Sequence, residues 1–174
     1  MIFGIDERPP IRPAAYGEGG EVYSYGRLCA DAARVAACTP GRPLVFSFCE
    51  NSYGALCGYA GFLSGGAVPL LLGECTGAAR RPAGTYRPGF LWLPERMAGG
   101  LPGTKRLLSL EGYALLGRGG PPAMHPDLAL LLTTSVDGQP QARAPEPPQH
   151  RINARDRPLP GKSGREERAS RRCR

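Results

Sequence analysis

Four short apolar runs limit what this chain of 174 residues can become: 43–49, 67–72, 90–93 and 128–134. Runs of this length, bounded by Gly, Pro or polar residues, fit strands buried on both faces, and such strands belong to parallel sheets covered by helices. Between the first two lies 53–64, dense in Gly and Ala, with Leu56, Tyr59, Ala60 and Leu63 as its apolar positions. Asn51 or Ser52 can cap that segment, and Gly65-Gly66 closes it, so it reads as a helix. Strand, helix and strand within about thirty residues form a βαβ unit, whose strands run parallel through a right-handed crossover.

The flanking segments fit the same α/β class. Residues 21–25 alternate and carry Val22 and two tyrosines, giving a short strand. Ser24 then caps a helix over 25–38, in which Leu28, Ala32, Val35 and Ala36 recur at helical spacing before Thr39-Pro40-Gly41 stops it. Residues 106–110 and 113–116 read as strands on a sheet edge. Residues 73–85 show no clean period. Residues 1–13 are a Pro/Gly-rich lead-in, with a short extended segment expected at 14–16. The expected architecture is a partial doubly wound, mostly parallel α/β sheet over 14–135, with a disordered C-terminal tail.

The tail expectation comes from composition. From Val136 onward there are ten Lys/Arg and five Asp/Glu, which leaves the first 135 residues at +2 of the chain's +7. The large apolar residues there are Ile152 and Leu159, too few to offset the entropy of ordering 39 residues. With no aromatic residues to interleave with its charges, the basic tail is expected to be solvated and not bound to nucleic acid. The six cysteines have no C-x-x-C spacing and no nearby His, which excludes a zinc or redox motif and fits reduced thiols in a cytoplasmic protein. No signal-peptide pattern and no membrane-length apolar run is present in the sequence. Trp92 is expected in the core, His125 on an exposed loop.

Three blocks in order resemble the first core motifs of the acyl-adenylate-forming (AMP-binding) ligases, which include acyl-CoA synthetases, fatty-acyl-AMP ligases and the adenylation domains of peptide synthetases. Tyr23-Ser24-Tyr25-Gly26-Arg27-Leu28 is similar to [T/S]-Y-x-E-L, departing at Arg27 where the family has Glu. Leu63-Ser64-Gly65-Gly66-Ala67-Val68-Pro69-Leu70 resembles L-K-A-G-A-x-x-x-P-L, and Cys49-Glu50-Asn51-Ser52 before it resembles the family's strand end. Residues 127–135 look like the strand that leads into the Y-T-S-G-S-T-G-x-P-K loop. The resemblance covers roughly residues 14 to 135. It implies an N-terminal piece of a ligase that joins ATP to a carboxylic acid, giving an acyl-adenylate and pyrophosphate, with Mg²⁺ accompanying the nucleotide.

In that family the loop after the strand wraps ATP phosphates with backbone N–H groups, hydroxyls and a Lys. By position Thr133, Thr134 and Ser135 correspond to its first residues. The rest departs, because Val136-Asp137-Gly138-Gln139-Pro140-Gln141 lacks the Gly-rich stretch and the Lys. Read one base on, the degenerate codons for these six residues become TNG, AYG, GNC, ARC, CNC and ARG, which can encode Ser, Thr, Gly, Ser, Pro and Lys. Residues 136–174 are therefore expected to be out-of-frame translation, and the chain alone is expected to bind neither ATP nor Mg²⁺ and to be inactive and poorly soluble unless the downstream part of a ligase joins it. The competing class is a non-catalytic α/β interaction module whose basic tail binds nucleic acid or an acidic partner.

Overall fold

The computed structural model describes residues 1–73, 86–120, 123–136 and 139–143, with the backbone alone described over 133–136 and 139–143. After a 3₁₀ segment at Ile2–Glu7, the elements are β1 (Pro13–Tyr16), β2 (Val22–Ser24), α1 (Tyr25–Ala37), β3 (Leu44–Phe48), α2 (Tyr53–Gly65) and β4 (Val68–Leu72). They continue with β5 (Phe90–Pro94), β6 (Lys105–Leu110), β7 (Tyr113–Gly117), β8 (Leu131–Val136) and β9 (Gln139–Arg143). Strands β1 and β2 form a separate antiparallel ribbon. The other seven form one sheet in the order β6-β7-β5-β3-β4-β8-β9.

Its centre is parallel. β3 pairs with β4 (Leu44↔Val68 to Phe48↔Leu72) and with β5, and β4 pairs with β8 (Leu70↔Leu131, Leu71↔Leu132). The flanking strands β7, β6 and β9 are antiparallel. This is the mostly parallel α/β sheet expected, and the continuous apolar runs have a direct cause. Val45 and Trp92 point to a core shared with α1 and α2, while Leu44, Phe46, Phe48, Leu91 and Leu93 point to a second core on the opposite face. Both faces are buried, so both alternate positions are mostly apolar; the one polar residue of β3, Ser47, is itself fully buried.

Helix α1 turns Leu28, Ala32 and Val35 inward. Helix α2 is buried nearly all round because it lies between α1 and the sheet. Its glycines are explained by that squeeze. A Cβ at Gly61 would stand 2.7 Å from the carbonyl oxygen of Ala32, and one at Gly58 would overlap the Trp92 indole. Trp92 is fully buried and donates from Nε1 to the Gly54 carbonyl oxygen at 3.2 Å. Ser24 and Ser52 cap the two helices, accepting from the Arg27 and Ala55 N–H groups, and Gly66 ends α2 in the left-handed conformation.

The β6–β7 turn is Glu111-Gly112, both at positive φ, the conformation of a tight two-residue hairpin. The outer strand β6 carries Lys105 and Arg106 and a register shift before Leu108, features that discourage strand addition at an edge.

Two expectations change. The strand expected over 128–134 begins at Leu131, because the Leu128 N–H is already donated to the His125 carbonyl oxygen in a turn; Leu132 is 41% exposed. Within the segment expected to be disordered, Val136 ends β8 and Gln139–Arg143 forms β9 against it. Val136 pairs with Gln139. Residues 74–85, 121–122, 137–138 and 144–174 lie outside the described residues.

Candidate functional site

At the carboxyl end of β3 the chain passes through α2 to β4, on one side. At the carboxyl end of β5 it passes through a 3₁₀ turn, Glu95–Met97, to β6 and β7 on the other side. Open α/β sheets place crevices where neighbouring strands send the chain in opposite directions. Here the crevice measures about 1210 Å³. Its floor is Cys49 to Ser52 and the first turns of α2; the β1–β2 turn, with Gly17, Glu18, Gly19 and Glu21, forms one wall.

An ion pair spans the switch point. The Arg96 guanidinium, from the turn after β5, bonds to the Glu50 carboxylate at the end of β3. That hydrogen bond holds the Glu50 carboxyl below the usual range. Glu50 also stands just before the N-terminus of α2, where a negative charge is favoured by the helix dipole. Its own N–H donates to the Tyr113 hydroxyl at 3.2 Å.

Deeper in, Tyr23 and Tyr53 stack with ring centroids 3.7 Å apart. The Arg27 guanidinium lies over both rings and reaches Glu111 at 2.6 Å and Asp31 at 3.7 Å. Tyr53 in turn donates to Asp31 at 3.1 Å. Burial pushes the Tyr53 phenol up and pushes the Cys57 thiol up to about 12. Arg27 occupies the position where the resembling motif has Glu, and the arrangement explains the exchange: two carboxylates and two aromatic faces receive a cation there.

Among the described residues the lining has four carboxylates, Glu18, Glu21, Glu50 and Glu111, against the guanidinium of Arg96. No group of His, Cys, Asp and Glu among the described residues is arranged to hold a metal ion.

Thr133, Thr134 and Ser135 lie elsewhere, on the backbone of β8 towards its carboxyl end, beyond β4 from the β3 end of the crevice. Leu71 lines the crevice and pairs with Leu132, which puts the three residues at the same end of the sheet. They pair in order with Ala142, Gln141 and Pro140 of β9. Asn51 does not cap α2, since Ser52 does; Asn51 lines the crevice. The His125 side chain is exposed, as expected, 3.8 Å from Asp127. Of the four cysteines described, all are free thiols, but Cys57 alone is buried. Sequence reading missed Arg96, which meets Glu50 across 46 positions with no local pattern to announce it. No described helix is long and apolar enough to cross a membrane.

No family model matches the chain, and no curated protein matches it. Solved structures do. Apo MatB from Rhodopseudomonas palustris superposes with a TM-score of 0.61 at 21% identity, over 80% of this chain and 33% of that one. The o-succinylbenzoate CoA synthetase MenE from Bacillus subtilis, bound with its product analogue OSB-NCoA, gives 0.54 at 16% identity, over 80% and 32%. The N-terminal subdomain of Klebsiella oxytoca NpsA gives 0.53 at 18% identity, over 79% and 37%. The architecture is that of the N-terminal subdomain of adenylate-forming ligases, and the chain spans about a third of the length of these neighbours.

Proposed function

We propose that this chain corresponds to the N-terminal third of an acyl-adenylate-forming ligase, that its coding frame departs from the family's after Ser135, and that it does not activate an acid on its own. The observation that carries this reading is β8: a strand of the family's sequence pattern, parallel to β4, that is followed by β9 where the family has its phosphate-binding loop. The intact reaction would join a carboxylic acid to ATP, giving the acyl-adenylate and pyrophosphate.

Thr133, Thr134 and Ser135 hold the positions of the first loop residues. The residues after them do not fit ATP phosphates. A phosphate cradle needs several N–H groups converging on one point and a Lys to add charge. Here the backbone of 133–136 runs in a ladder with β9, and Pro140, opposite Ser135, has no N–H to offer. Among the described residues 133–136 and 139–143 no such cradle is formed, which supports the reading that the chain alone does not hold a Mg²⁺–nucleotide. The free thiols among the described cysteines support a cytoplasmic setting.

Sequencing the gene across the Ser135 codon is the direct test. The expected result is a Ser-Thr-Gly-Ser-Pro-Lys loop one base out of frame, followed by the remaining two thirds of a ligase. An in-frame gene with no such loop in any frame sinks the frame reading. ATP–pyrophosphate exchange by this chain, with any carboxylic acid, would overturn the claim that it is inactive alone.

A further inference from the structure

At the amino end of the sheet, opposite the crevice, Arg42 ties three segments together. Its Nη2 donates to the carbonyl oxygens of Leu128 at 2.6 Å and His125 at 3.1 Å. Those carbonyls belong to one turn, closed by the Leu128 N–H to the His125 carbonyl oxygen at 3.1 Å, so both dipoles converge on a single cation. The Arg42 carbonyl oxygen accepts from the Met124 N–H at 2.9 Å, and Pro43 bridges Ala123. Pro43 also accepts from the Val68 N–H at 2.9 Å, which joins the start of β4 to the same point. Gly66, the left-handed residue that ends α2, lies beside the Arg42 side chain. The cation's Nε is buried without a hydrogen-bond partner. Burying part of a guanidinium is costly, and the two carbonyls are what offset it.

The consequence lies at the other end of the sheet. β8 has two register pairs with β4, Leu70↔Leu131 and Leu71↔Leu132. A slip of one residue would exchange Leu131, buried, with Leu132, exposed, and move each of Thr133, Thr134 and Ser135 to the opposite face. With so short a ladder, the starting height of β8 has to be set from outside it.

We propose that Arg42 is the positioning residue that sets this height, and through it the place where Thr133, Thr134 and Ser135 arrive at the carboxyl end. The role of those three residues rests on the function proposed above; the anchoring of β8 does not.

Amide hydrogen exchange on the full chain tests it. In Arg42→Ala, amides of 128–136 should exchange about tenfold faster or more, the effect of losing charge-assisted hydrogen bonds, while those of α1, β3 and β5 keep their protection. Arg42→Lys keeps the charge but not the fork, so it should give a smaller rise confined to the same residues, and it serves as the test if Arg42→Ala does not fold. A rise spread evenly over the sheet, or no rise in a folded variant, overturns the proposal. If exchange behaves as expected and the gene holds no phosphate loop, Arg42 keeps its role and the family reading fails. If the gene holds the loop and exchange does not respond, the family reading stands and Arg42 loses its role.

Discussion

The carboxyl ends of β3 and β8 make an instructive pair. Both strands are parallel members of one sheet, and both are announced by an apolar run. After β3 the chain finds a capping serine, a helix and a cation from another turn to pair with Glu50. β8 instead pairs antiparallel with β9, the next strand along the chain. A strand is specified by what it buries. A working strand end is specified by the few residues that follow, and those differ here.

That contrast can be broken or sharpened experimentally. The largest effect is expected from Trp92→Ala, which empties the space between α2 and the sheet and should cost about 3–5 kcal/mol in denaturant unfolding. A loss below about 1 kcal/mol would mean that the β3 side is not the tightly packed half. Gly58→Ala comes next. Helix propensity alone would stabilise it by about 1 kcal/mol, but the overlap with Trp92 should make it destabilising by about 1–3 kcal/mol. A gain in stability would show that the indole has room to move. Ser52→Ala removes the cap at the β3 end and should cost about 1 kcal/mol, with Asn51→Ala nearly silent; the reverse ranking would reassign the cap.

The Glu50–Arg96 pair is exposed enough that its contribution should stay at or below about 1 kcal/mol. Arg96 lowers the Glu50 pKa, so the contribution is fully present above the unfolded value near 4.5 and is lost as pH falls through the lower native one. Unfolding of wild type and Glu50→Gln should therefore differ at neutral pH and converge in acid. Divergence on acidification would contradict the pairing. Smallest of all, ending the chain at Ser135 should leave the near-ultraviolet signal of Trp92 unchanged; a large change would tie the two strand ends together.

Much of this fold was legible in the sequence for reasons particular residues make plain. The runs around Phe46, Leu70 and Trp92 are apolar at nearly every position, Ser47 excepted, because both faces of the sheet are covered, and Ser24 and Gly66 mark helix ends by local chemistry. What stayed hidden depends on contacts across long separations or on a turn outside the run itself. Arg27 looked like a defect in a motif until Glu111, 84 positions away, supplied its partner. Arg96 had no local signature. The start of β8 was set by a turn at His125 that an apolar run does not reveal.

The order of strands across the sheet differs from their order along the chain, and this has a consequence for synthesis. A chain emerging from the ribosome completes β3, β4, β5, β6 and β7 by Gly117, and these five already form a continuous sheet with both helices on it. β8 adds to one border of an existing body. On the frame reading proposed above, the altered residues lie outside those five strands and meet the sheet only along the border that β8 forms.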